Sequence, residues 1–205
     1  MAIGSAGRES TTLRRLVWFP IVIVAISDIG YVLIIRTQDS HSPDGFRVLF
    51  VAAYLALMAV MLGVSLLDRP VIIRVRPALR AGAAAGLLIL GVLAVFSIGI
   101  PIVAAGALAT GAAVRSASGL RLPGVITEIA AAAVAIAVLV AGFEVTERLI
   151  VCPAKGVSGG SGYGLISGGY HWTCVDGKLD FRSGFCSSTS EGIDANGHAY
   201  LISSC

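Results

Sequence analysis

The chain has 205 residues, of which 56% are hydrophobic and 13% charged, with a net charge of +3. A soluble domain carries about 25% charged residues, so an ordinary water-facing globule is excluded. Nearly all the basic residues are arginines set between apolar tracts, and no basic stripe with interleaved aromatics points to nucleic acid as a partner.

Residues 1–15 are polar and end in Arg14-Arg15. The apolar tract 16–35 follows, long enough to cross a hydrocarbon core of about 30 Å. A cleavable signal peptide would end after about 7–15 apolar residues at a small-residue site. Here the apolar character resumes past Asp28 with "IGYVLII", so the tract reads as a retained span. Pro20 falls in its first turns, and Trp18 and Tyr31 stand where interface anchors would. Asp28 is close to mid-membrane on this reading. An ionisable side chain at that depth costs about 2.5–3.5 kcal/mol on insertion scales. It reads as a proton- or cation-linked carboxylate, or as a protonated acid bonding a neighbouring helix.

"RTQDSHSPDGFR" (36–47) is a polar loop with turn chemistry at Ser42-Pro43-Asp44-Gly45. The second span is 48–67. "DRPVIIRVRPALR" (68–80) carries Arg69, Arg74, Arg76 and Arg80 and reads as a loop. With Arg8, Arg14 and Arg15, two segments hold most of the early arginines, which places the N-terminus and loop 68–80 in the cytoplasm.

The uncharged tract from Ala81 to Val114 is too long for one helix, at about 51 Å. As two helices, 81–97 and 100–114, it is slightly short. Ser97, Gly99 and Pro101 stand at its middle, and the residue before a proline is pushed out of helical geometry. Pro101 is thus the expected span breaker, and Ser97–Pro101 the apex of a re-crossing hairpin. Gly82-xxx-Gly86 near its start is a close-packing motif. A short loop with Arg115 and Arg121 precedes the last span, 125–145, which is dense in alanine. Glu128 lies near the cytoplasmic end of that span. Glu144 and Glu147 lie near its outer end, one turn apart beside Arg148, where a salt bridge is the default.

Composition changes near Ile150. The remaining residues are rich in Gly and Ser and hold all four cysteines: Cys152, Cys174, Cys186 and Cys205. Their spacing has no C-x2-C pair, against a structural zinc site. A module this small is commonly stapled by disulfides in an oxidising compartment. Two disulfides are therefore expected ahead of free thiols or metal, with the pairing open. "YHWTCV-DG-KLDF" reads as a β-hairpin turning at Asp176-Gly177, and "HAYLIS" (198–203) as a further strand. "GVSGGSGYGLISGG" lacks the lysine and strand–turn–helix setting of a phosphate loop and reads as flexible linker. Trp172 is expected in the module core. His41, His171 and His198 carry no metal pattern, and no G-x-S-x-G elbow occurs.

The expected fold is an all-α multi-pass membrane bundle of five spans, with four as the alternative, and a small disulfide-stapled β-rich extracytoplasmic module. Residues 1–15 form a cytoplasmic segment, 16–148 the transmembrane domain and 149–205 the module. The Ala/Val/Arg bias looks like that of a high-GC bacterium, and the expected bilayer is the plasma (inner) membrane. No catalytic constellation, cofactor or metal is expected. The expected function is an accessory or structural subunit of a larger envelope complex, its partners being lipid and other membrane subunits through small-residue helix faces. The alternative is a small transporter or channel component using Asp28.

Overall fold

The computed structural model describes residues 11–38, 45–117, 122–183, 188–193 and 199–204. It is mostly helical. The elements are α1 (Thr11–Gln38), α2 (Gly45–Val64), α3 (Pro70–Leu93), α4 (Ile100–Ala117) and α5 (Leu122–Glu147), then β1 (Val157–Tyr163), β2 (Gly169–Val175), β3 (Lys178–Ser183), β4 (Ser188–Ile193) and β5 (Ala199–Ser204). Four helices, α1, α2, α3 and α5, are long and apolar enough to cross a membrane, and α4 holds a shorter apolar run, Ile100–Ser116. Two compact units divide the chain: 1–40 with 51–139, and 41–50 with 140–205.

In the first unit the core follows helical spacing. Val17 and Val24 of α1, Leu55, Met58 and Leu62 of α2, Leu87 and Leu90 of α3, and Ile102, Ala105 and Ala109 of α4 are buried, recurring at three, four or seven residues. α3 starts eleven residues before the expected span. Arg69 is its extended N-cap and Pro70 its first residue, where the missing N–H costs nothing. The arginine-bearing segment from Pro70 to Arg80 is therefore helix rather than loop, and Pro77 lies inside it.

The long apolar tract folds as two helices. A π-helical turn, Val95–Gly99, separates α3 from α4, with Gly99 N–H donating to Ala94 O at 2.8 Å. The two helices run antiparallel: Gly91 faces Val103, Gly106 faces Leu88, and Arg80 bonds Ser116. A Cβ on Gly91 would stand 2.8 Å from the Val103 backbone nitrogen, and one on Gly106 3.0 Å from that of Leu88. Glycine at both positions lets the backbones touch. The break lies upstream of its expected place, because Pro101 occupies the first turn of α4, a position proline tolerates.

In the second unit β1, β2 and β3 form an antiparallel sheet in that order, and β4 pairs with β5 in a separate two-stranded sheet. The hairpin at Asp176-Gly177 is present, with φ of +46° and +80° at its two central residues, as a type I′ turn requires. The glycine run expected as linker contains β1. Gly160 pairs with Trp172 and Gly162 with Tyr170, and the two aromatic rings lie across these glycines. Side chains there would displace the rings, so glycine in this edge strand makes room for large aromatics on its neighbour. Tyr170, Trp172 and Cys174 alternate on one face of β2 and form a small core with Ile150, Cys152 and Phe181.

Candidate functional site

Cys152 and Cys174 form a disulfide, with Cα atoms 5.4 Å apart. It ties the segment after α5 to the buried face of β2 near that strand's end. Cys186 and Cys205 lie outside the described residues, as do His41, His198 and Arg121.

Three places concentrate polar chemistry. The first is a groove of about 400 Å³ between α3, α4 and α5, lined chiefly by alanines with Leu88, Thr110 and Glu128. Glu128 Oε1 is shielded there and accepts no hydrogen bond. Thr110 spends its own hydroxyl on Gly106 O at 2.9 Å. The groove is thus mostly apolar with a shielded carboxylate oxygen of Glu128, and suits an apolar group carrying a hydrogen-bond donor.

The second is Arg80, which is fully buried. Its Nη1 donates to Ser116 Oγ at 2.6 Å and its Nε to Ser65 Oγ at 3.3 Å. Each serine donates onward to a backbone carbonyl, Ala112 O or Leu62 O. The guanidinium therefore ties the end of α2 and the end of α4 to α3. The sequence places Arg80 in a cytoplasmic loop with Arg69, Arg74 and Arg76, and only its serine partners, distant in the chain, reveal its packed role. Arg76 by contrast pairs with exposed Asp68 at 2.9 Å.

The third place is in the second unit. Glu144 Oε1 accepts the backbone N–H of Ile166 at 2.6 Å and of Ser167 at 3.3 Å. Glu147, only 4% exposed, accepts the Ser167 hydroxyl at 3.0 Å. The two carboxylates at the end of α5 thus hold the β1–β2 loop, a role spacing alone did not suggest. Nearby, Arg47 lies 5.1 Å over the Phe143 ring and donates to Tyr170 Oη at 3.3 Å. Phe50 meets Phe143 edge-on at 5.7 Å. Gly142 leaves the space that the Phe50 ring fills.

Asp28 lies on the same stripe of α1 as buried Val17, Pro20 and Val24, and its Oδ1 is shielded with no hydrogen-bond partner. Gly82 and Gly86 face inward. A Cβ on Gly82 would stand 3.1 Å from Met61 Cε and 3.2 Å from Ala131 O. Gly86 lies under Tyr54 and Met58, and the Tyr54 hydroxyl donates to Ala135 O at 2.9 Å. This motif packs α2, α3 and α5 of the same chain against one another. Among the described residues no group of three or more His, Cys, Asp or Glu side chains is placed to hold a metal.

The chain matches no protein-family model, no curated protein and no solved structure.

Proposed function

We propose that the chain is a non-catalytic integral membrane protein of a bacterial inner membrane that serves as an accessory subunit of a larger envelope complex. The observation that carries this reading is the outward face of α5. Ala130, Ala133, Ala137 and Ala141 are all exposed and recur at three or four residues, on the side opposite buried Ala135, Leu139 and Phe143. Lipid-facing positions favour large apolar side chains, whereas small residues let a second helix approach closely. A partner helix fits this face. The subunit reading predicts co-purification in stoichiometric amount with another membrane protein after mild detergent extraction. Migration as a lone monomer overturns it.

Five crossings are part of the proposal. They are supported by the second unit, in which the start of α2 meets the end of α5 through Phe50 and Phe143. Those two ends share a side when α2, α3, α4 and α5 all cross, as the five-span arrangement has them. The arginines then put the N-terminus in the cytoplasm and the cysteine module outside.

A second reading, a small transporter or channel component, is favoured by Asp28 with its unpartnered Oδ1. A carboxylate left without a donor in an apolar setting is costly and marks ion pathways. On this reading Asp28→Asn abolishes a proton- or cation-dependent flux in vesicles, and an unchanged flux removes it.

A further inference from the structure

We infer that the β1–β2 loop, residues 164–168, is a membrane-surface anchor that inserts Leu165 and Ile166 into the acyl edge of the bilayer beside the end of α5. This rests on α5 being a membrane span, as proposed above. Three observations support it.

The loop is fixed at a defined depth. The uncharged stretch of α5 from Ile129 to Phe143 centres near Ile136. Glu144 is eight residues further, about 12 Å along a helix rising about 1.5 Å per residue. Half of a hydrocarbon core is about 15 Å, so the Glu144 carboxylate sits at the core's edge. It is bound there by the amides of Ile166 and Ser167 at 2.6 and 3.3 Å, which places those residues at the same level.

The loop is also tight. Gly164 N–H donates to Gly168 O at 2.7 Å across it. A Cβ on Gly164 would collide with the Ser167 hydroxyl and the Glu147 carboxylate, and Gly168 has a φ of +78°. The backbone polar groups turn inward to one another and to Glu144, and the Ser167 hydroxyl to Glu147.

The side chains point the other way. Ile166 is 76% exposed and Leu165 44%, and Leu149, Val151 and Tyr163 are exposed in the same unit. Water is a poor solvent for exposed Leu165 and Ile166, whereas the acyl edge suits them, and Tyr163 just before the loop is of the type enriched at the interface. The arrangement also accounts for the bonding of Glu144: a carboxylate at the hydrocarbon edge needs donors, and the loop supplies two amides.

The test is photo-crosslinking of the full chain in phosphatidylethanolamine/phosphatidylglycerol vesicles. p-Benzoyl-phenylalanine is placed separately at Ile166, at Lys178 in the β2–β3 hairpin, and at Val134 on the exposed side of α5. After irradiation, mass spectrometry reads phospholipid adducts. The expected result is adduct at position 166 comparable with position 134 and at least about fivefold above position 178. Adduct at 134 with none above the 178 level at 166 overturns the anchor and leaves the span intact. Absence at 134 as well overturns the membrane reading and the anchor together. Cross-linking of position 166 to a second protein chain instead of lipid also overturns it.

Discussion

Glycine in these helices has two opposite roles, and single substitutions separate them. Gly86 lies under Tyr54 and Met58, whereas Gly30 has no atom within 4 Å of where its Cβ would be. Gly86→Val should destabilise the protein by about 1–3 kcal/mol, the range for overpacking. Gly30→Ala should be neutral or stabilise by up to about 1 kcal/mol, since alanine is the better helix former. Thermal unfolding in detergent reads both, and equal effects would contradict the packing described. The Gly82-xxx-Gly86 spacing was visible in the sequence. The tighter pair, Gly91 and Gly106, was not, because the residues approach only across the α3–α4 hairpin and no local spacing links them. Arg80 was misread for the same reason. Charge alone marks an arginine as solvated, and its burial depends on Ser65 and Ser116, distant in the chain.

At the scale of elements, apolar length gave α1, α2 and α5 to within a few residues, and the Asp176-Gly177 turn gave the β2–β3 hairpin. β1 escaped notice because a strand of glycine and serine carries no apolar alternation. Its pairing is dictated by the rings of Tyr170 and Trp172 on the neighbouring strand. The sheet that results is small, and its core includes the Cys152–Cys174 disulfide. A cross-link with a sequence separation of 22 stabilises by about 3 kcal/mol in the chain-entropy model. Reduction, or Cys174→Ala, should therefore lower the unfolding midpoint of the module, followed by Trp172 fluorescence. An unchanged midpoint would mean that the aromatic core suffices without the bridge.

For the whole molecule, the number of crossings fixes the compartment of every cysteine. Five crossings predict that a membrane-impermeant thiol reagent labels intact cells only after reductant is added. Labelling that needs permeabilisation but no reductant would place the module in the cytoplasm and remove both the five-span arrangement and the oxidising compartment. Sequence length left this question open, since α4 is short for a span. The contact of Phe50 with Phe143 bears on it from residues far apart in the chain.

The bond between Arg47 and Tyr170 joins residues separated by 123 positions. At a synthesis rate of about 5–20 residues per second, the arginine emerges roughly 6–25 s before its tyrosine exists. During that interval the leading end of α2 must wait without this partner while three more helices and the first strand are made. The contact closes late. Its formation therefore reports that the chain has been made through to the module, and a product truncated before Phe143 would leave Arg47 without either of its aromatic partners.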